Sequence, residues 1–334
     1  MIREDSTNMS FSTDTKEELA RIIPEDRCCQ LAELSALIRM AGMLELAGPG
    51  DLRIQLSTEN PSTARKIFKL VKRIYGFQAE IQVRQTPRFN KSKQYALLLE
   101  DPEESRQMLK ETGILLETEQ GITLLEQVPQ ALIKNRCCRR AFLRGAFLGG
   151  GSISAPEKNY HLEFVSSNES HIDSIQKILR RFQLQGKYIL RKGHHVLYLK
   201  EGEQIVDLLN IMGAHHALLA LENIRILKQM RNNINRIVNC ETANLSKTVQ
   251  ASMRQVEMIQ FIDRRIGIQN LSQSLREVAI ARLKYPEASL KELGEQINPP
   301  VGKSGINHRF RKLEQLEVRL KTQKITSSDG NAEK

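Results

Sequence analysis

The side chains best suited to chemistry lie in SLKELGEQINPPVGKSGINHRFRKLEQL, residues 289–316. Ser289, Lys291, Lys303, Ser304, Asn307, His308, Arg309, Arg311 and Lys312 supply positive charge and hydrogen-bonding groups within a short span. An arginine fork matches the major-groove edge of guanine and an asparagine amide that of adenine, while Lys303 and Lys312 suit phosphates. The chemistry so indicated is recognition of double-stranded DNA rather than the making or breaking of bonds. Overall charge agrees with it: 50 Lys and Arg against 39 Asp and Glu give a net +11, which favours an acidic partner. With no Trp and only 5% aromatic residues, stacking of single-stranded bases has little to work with.

The elements that must present these residues follow from the same stretch. Ser289 and Glu292 have the spacing of a capping box, and Leu290, Leu293 and Ile297 give the helix it opens a buried face. Pro299 and Pro300 break that helix. A second helix starts after Gly302, with Ile306, Phe310, Leu313 and Leu316 turned to a core. At about 100° per residue, Ser304, His308 and Lys312 point away from that core, and Asn307, Arg309 and Arg311 flank them. This is a helix-turn-helix, spanning 254–320 with its supporting helices, whose 298–302 loop exceeds the usual three- or four-residue turn. Upstream, residues 232–253 form a polar stretch read as a linker. Its Asn-rich part, 232–244, is open between helix capping and phosphate contact.

The first 230 residues repeat themselves. CCQLAELSALIRMAG at 28–42 and CCRRAFLRGAFLGGG at 137–151 align at a constant offset of 109. Each copy opens the order helix, two strands, helix, two strands, helix, so the fold class is α+β. Apolar register supports the repeat, because Ile172, Ile175, Leu179 and Phe182 fall 108 residues after Ala64, Ile67, Val71 and Ile74. The halves are 16–113 and 137–231, joined by a connector at 114–136, with disordered tails at 1–15 and 321–334. Arg53, Arg84, Arg88, Lys91, Lys93, Arg191 and Lys192 lie on or beside predicted strands, either as phosphate contacts or as a solvated sheet face.

Other candidates are weaker. The five cysteines form two vicinal pairs and a single Cys240, fitting neither a disulfide framework nor a CxxC zinc ribbon. They read as reduced packing thiols, with no metal and no cofactor. His194/His195 and His215/His216 read as surface or capping groups, the first pair in a hairpin turn and the second at a helix start. No apolar run reaches the roughly 18 residues of a membrane span, and the polar opening residues do not resemble a signal peptide, so the cytoplasm is the expected compartment.

LSALIRMAG at 34–42 and LRGAFLGGG at 143–151 resemble the paired LAGLIDADG motifs of homing endonucleases, whose two motif helices pack at a pseudo-twofold axis beneath a saddle of antiparallel strands. That resemblance implies a metal-binding acid at the eighth position of each motif. Ala41 and Gly150 stand there, and neither can hold a metal, so nuclease chemistry is expected to be lost and no catalytic residue is assigned. A degenerate repeat followed by a helix-turn-helix, with NRIVNCETAN at 235–244 and PPVGKSGINHR at 299–309, resembles the WhiA family. Membership would imply a nucleoid-associated regulator of transcription acting in cell division, chromosome segregation and, in sporulating bacteria, sporulation. Transcription or cell-division proteins would be its other partners, with no membrane and no small-molecule substrate. A metal-dependent LAGLIDADG endonuclease and a non-enzymatic nucleoid scaffold are the alternatives.

Overall fold

Two helices with small residues on their facing sides set the plan of the N-terminal part. The computed structural model describes residues 10–48, 51–85, 93–119 and 121–326, and the chain divides into one unit of Met1–Gln229 and another of Met230–Lys334. In order, the first unit holds α1 (Phe11–Arg21), α2 (Arg27–Ala41), β1 (Gly42–Gly48), β2 (Asp51–Thr58), α3 (Pro61–Tyr75), β3 (Glu80–Gln85), β4 (Lys93–Leu99) and α4 (Pro102–Glu111). A small hairpin follows, β5 (Leu115–Thr118) with β6 (Gly121–Leu124). The second half is α5 (Arg136–Gly150), β7 (Gly151–Ile153), β8 (Leu162–Ser166), α6 (Glu169–Arg181), β9 (Lys187–Arg191), β10 (His194–Leu199) and α7 (Gly202–Met212). Then come α8 (His215–Ile266), α9 (Gln273–Lys284), α10 (Leu290–Glu295) and α11 (Lys303–Thr326).

Local chemistry explains the boundaries. Asn60 accepts from the Ser62 and Thr63 amides, Pro61 opens α3, and Gly76 closes it at φ 77°. Asp101 and Pro102 do the same for α4. Each half builds an antiparallel four-stranded sheet, ordered β1-β2-β4-β3 and β7-β8-β10-β9, so the repeat seen in sequence is a repeat of topology. Ile54, Leu56, Leu97 and Leu99 from one sheet and Leu162, Phe164, Leu197 and Leu199 from the other face a common core with α2 and α5.

Helices α2 and α5 run side by side in the same direction. The Cys29 and Cys138 sulfurs meet near their N-termini, while Gly149 lies against Met40 and Ala41 near their C-termini. Approach is closest at Gly145, where a Cβ would come within 2.3 Å of the Glu33 carbonyl oxygen, so only glycine allows this crossing. Beside it lies a buried ionic knot. Arg144 of α5 donates to both carboxylate oxygens of Glu33 on α2, at 2.9 and 2.7 Å, and Lys66 of α3 pairs with the same carboxylate. The Lys66 ammonium also donates to the Leu19 and Ile22 carbonyls, at 3.0 and 2.6 Å. Burial pulls its pKa down to about 8, against the opposing pull of Glu33.

The expected linker and both expected tails are revised here. Residues 232–253 are helical, part of the continuous α8, rather than a linker. No Gly or Pro interrupts α8, and asparagine weakens a helix by under about 1 kcal/mol per residue without breaking it. Residues 10–15 and 321–326, expected in disordered tails, belong instead to the capped start of α1 and to the end of α11. The connector carries β5 and β6, and its carbonyls at Leu125, Glu126 and Gln127, with that of Gly113, accept from the Arg39 guanidinium of α2 at 2.7–3.2 Å.

Candidate nucleic-acid interface

The second unit surrounds a core of Met258, Ile259, Ile262, Val278, Ala279, Leu293, Ile306, Phe310 and Leu313. Its helix-turn-helix is α10 and α11. Ser289 caps α10 through the Glu292 amide (3.3 Å), and the Glu292 carboxylate accepts from the Ser289 amide (2.7 Å), completing the capping box. Those bonds hold the Glu292 carboxyl below its usual range. The long turn is closed by a specific contact: the Val301 amide donates to the Gly294 carbonyl at 2.9 Å. A Cβ at Gly294 would lie 1.9 Å from the Val301 oxygen, so the turn requires glycine. The loop length that departs from the compact motif is thus accommodated by backbone pairing across it.

On α11 the phase predicted from sequence holds. Ile306, Phe310 and Leu313 are buried, and Ser304, Asn307, His308, Arg311 and Lys312 are all exposed. Their spacing of i, i+3, i+4, i+7 and i+8 makes them one stripe on one face. The first acid on the helix is Glu314, so the exposed side of its first three turns carries no negative charge.

Arg309 differs from the expectation. Half-buried, it donates to the Ser274 carbonyl (3.1 Å) and to Glu277 (3.2 Å), both on α9. Its guanidinium fastens α11 to α9, so it is already engaged within the unit, unlike the free side chains of the stripe. Ser289 is likewise engaged in its cap.

A cleft of about 310 Å³ opens beside the start of α10 and α11, lined among others by Lys247, Thr248, Arg282, Ser289, Lys291 and Lys303. Lys291 and Lys303 were expected at an interface, whereas Lys247 and Thr248 were missed because their segment read as linker. Helical periodicity carried across 232–253 is the signal that could have found them. Arg282, also missed, is buried and donates to the Tyr285, Pro286 and Ala288 carbonyls (3.4, 3.3 and 2.5 Å) while lying over the Phe310 ring at 5.6 Å. It shapes the loop that delivers Ser289. The Asn-rich residues 232–244 lie inside a helix, where capping is impossible, and their side chains are exposed.

The described basic residues of the strands, Arg53, Arg84, Lys93, Arg191 and Lys192, are exposed, and some of them have partners on their own sheet. Strand register puts Arg53 directly opposite Glu45. Arg84 donates to Gln82 at 3.0 Å, and Arg191 to Glu163 at 3.1 Å. Lys93 shares the alternation of Tyr95 and Leu97, the parity of the helix-covered face, and Lys192 sits in the β9–β10 turn at φ 51°. Arg88 and Lys91 lie outside the described residues. His194 and His195 belong to β10 rather than the turn, with the His195 ring nitrogen 2.7 Å from the Tyr188 hydroxyl; His216 starts α8, its amide donating to Glu18.

At the motif ends, Ala41 and Gly150 bring no acid to the seam, and a Cβ at Gly150 would meet the Val165 oxygen at 2.7 Å. At the opposite ends lie the four cysteines expected as reduced packing thiols, and all four are free. Cys28, Cys29, Cys137 and Cys138 converge, with all four sulfurs within 4.8 Å of one another.

Known proteins match along most of the chain. A family model described as the WhiA N-terminal LAGLIDADG-like domain fits residues 27–115, one described as the WhiA LAGLIDADG-like domain fits 139–231, and one described as the WhiA C-terminal HTH domain fits 234–317. The chain is 53% identical over 317 residues to a probable cell division protein WhiA of Alkaliphilus metalliredigens, covering 95% of this chain and 100% of that protein. A namesake from Heliobacterium modesticaldum is 55% identical over 308 residues, 92% of this chain and 96% of its own. Among solved structures, the full-length DUF199/WhiA from Thermatoga maritima superposes with a TM-score of 0.58 at 26% identity, over 93% of this chain and 99% of that one. No helix among the described residues is long and apolar enough to cross a membrane.

Proposed function

We propose, from the premise that this chain belongs to the WhiA family, that it is a sequence-specific double-stranded DNA-binding protein regulating transcription in cell division, without nuclease activity. In this reading α11 enters the major groove and presents Ser304, Asn307, His308 and Arg311 to base edges. Lys312, with Lys247, Lys291 and Lys303 around the cleft, meets phosphates on either side. Regulation of chromosome segregation and sporulation, and association with the nucleoid, belong to the same proposal.

One observation carries it: a continuous stripe of unpaired recognition-type side chains on a helix whose opposite face is fully buried. Its neighbour Arg309 is bound internally, which marks the stripe as the part of the helix left free for a partner. The internal engagement of Arg191 with Glu163 and of Arg84 with Gln82 favours α11 over the sheets as the reader.

The test is selection of the full-length protein on a random duplex pool, followed by titration of the winning site at several salt concentrations. Recovery of a shared motif, lost in an Asn307→Ala/Arg311→Ala variant that still folds, is the expected result. No enriched motif, or an unaltered motif with the variant, would remove the assignment. Plasmid incubated with the protein and magnesium or manganese should remain supercoiled; nicking would restore the nuclease alternative.

A further inference from the structure

We propose that Cys28, Cys29, Cys137 and Cys138 form a four-thiolate site for one soft divalent ion of the zinc type, clamping the two halves of the first unit together. The cysteines come from corresponding positions of the repeat, 109 residues apart, and the pseudo-twofold packing of α2 and α5 brings those positions face to face. Two pairs remote in sequence therefore become one cluster in space. A local CxxC spacing is unnecessary when the axis itself supplies the second pair.

Geometry favours a tetrahedral ion. At a Zn–S length of about 2.3 Å, the sulfurs of a tetrahedral site lie about 3.8 Å apart. Here the Cys29 and Cys138 sulfurs are 4.0 Å apart and no pair exceeds 4.8 Å, so closure on an ion needs sulfur movements of at most about 1 Å. Side-chain torsions can deliver that without moving backbone. The ligand set is pure sulfur, which selects zinc-like ions over magnesium or calcium.

The surroundings suit the charge that results. Coordination releases the proton of each thiol, and four thiolates around a divalent ion carry two net negative charges. Both cysteine pairs occupy the first turn of a helix, where unpaired amides and the helix dipole favour negative charge. Each pair follows an arginine, Arg27 or Arg136, and the second is followed by Arg139 and Arg140. Cys28 and Cys137 are exposed while Cys29 and Cys138 are buried, which gives the ion an entry side and a closed side. The site lies 13 residues along the helix from Ala41, about 20 Å from the degenerate acid positions, so it is a structural clamp and not a relic of nuclease chemistry.

The experiment uses the full chain, purified under reducing conditions, stripped with chelator and titrated anaerobically with Co²⁺, then with Zn²⁺. Expected are one equivalent of cobalt with intense thiolate-to-cobalt charge transfer and the visible bands of tetrahedral coordination, displacement by zinc, and a higher melting temperature for the loaded protein. Cys240→Ser should behave as wild type. Cys28→Ser/Cys137→Ser, which alters only the exposed pair, should lose the cobalt spectrum and the thermal shift while keeping its circular dichroism. Wild-type protein with free thiols but no thiolate–cobalt bands would overturn the proposal, as would a Cys29–Cys138 disulfide in protein isolated with its thiols trapped. Undiminished binding by the double variant would do so too; if that variant does not fold, the wild-type titration decides alone.

Discussion

Replacing Glu33 by alanine should be among the most damaging single changes in the first unit. The carboxylate is fully buried and faces two cations, Arg144 at 2.7 and 2.9 Å and Lys66, whose side chains are 9% and 0% exposed. Removing it leaves both uncompensated. Lys66 can shed its proton, since its pKa already lies near 8, but a guanidinium cannot, so Arg144 bears the larger share. Breaking a buried pair by deleting one partner costs about 3–5 kcal/mol. Urea unfolding followed by tyrosine fluorescence suits the measurement, because Tyr75, Tyr95, Tyr160, Tyr188 and Tyr198 all lie in the first unit and only Tyr285 in the second. A pH arm tests the same knot. The folded pKa of Lys66 is below that of the unfolded chain, so between about pH 8 and 10.5 the unfolded state binds more protons and this group makes stability rise with pH. Lys66→Met should flatten that rise. A loss below about 1 kcal/mol for Glu33→Ala would refute the idea that the knot joins the halves.

His171 is held down to about 4 by burial and then by Arg39; the unfolded chain therefore binds a proton that the native state rejects, and stability should fall as pH drops from about 6.5 to 4, a trend His171→Asn would remove in pH-dependent melts. Arg309→Ala should lower the stability of the second unit by about 1 kcal/mol through loss of the Glu277 and Ser274 contacts, whereas Arg311→Ala should leave melting unchanged and weaken DNA binding, both read by calorimetry and anisotropy. Lys312→Ala should reduce the slope of log affinity against log salt by about one, with little change in sequence preference. Gly294→Ala should displace the α10–α11 turn and abolish specific binding, because its Cβ collides with the Val301 carbonyl; intact binding would show that the turn yields.

Much of this was legible in the sequence because the signals were periodic. The offset of 109, the matched apolar register of α3 and α6, and the Asn60, Pro61 and Gly76 punctuation are local or repeated features. What escaped depends on tertiary geometry. A helical wheel places Arg309 on a flank but cannot say that α9 lies there with Glu277. The convergence of the cysteines was present in the repeat, yet spacing rules compare neighbours along a chain and not partners across an axis. Arg39 reads as an ordinary helix residue until the connector carbonyls are seen around its guanidinium. Asparagine-rich composition suggested a linker over 232–253, where the absence of any breaker was the stronger fact.

The loss of the acids and the tightness of the seam have one cause. A carboxylate at position 150 would need room that the Val165 carbonyl and Met40 already occupy, and a side chain at 145 would force α5 off the Glu33 carbonyl. Small residues at these points let α2 and α5 approach closely enough for Arg144 to reach Glu33 across the halves and for the cysteine pairs to meet at the far end. An acid placed at position 150 would therefore have to displace Met40 and the Val165 carbonyl before it could reach a metal. A seam closed in this way joins the two sheets through one shared core. For the DNA recognition proposed above, the stripe from Ser304 to Lys312 has the spacing and the exposure to serve.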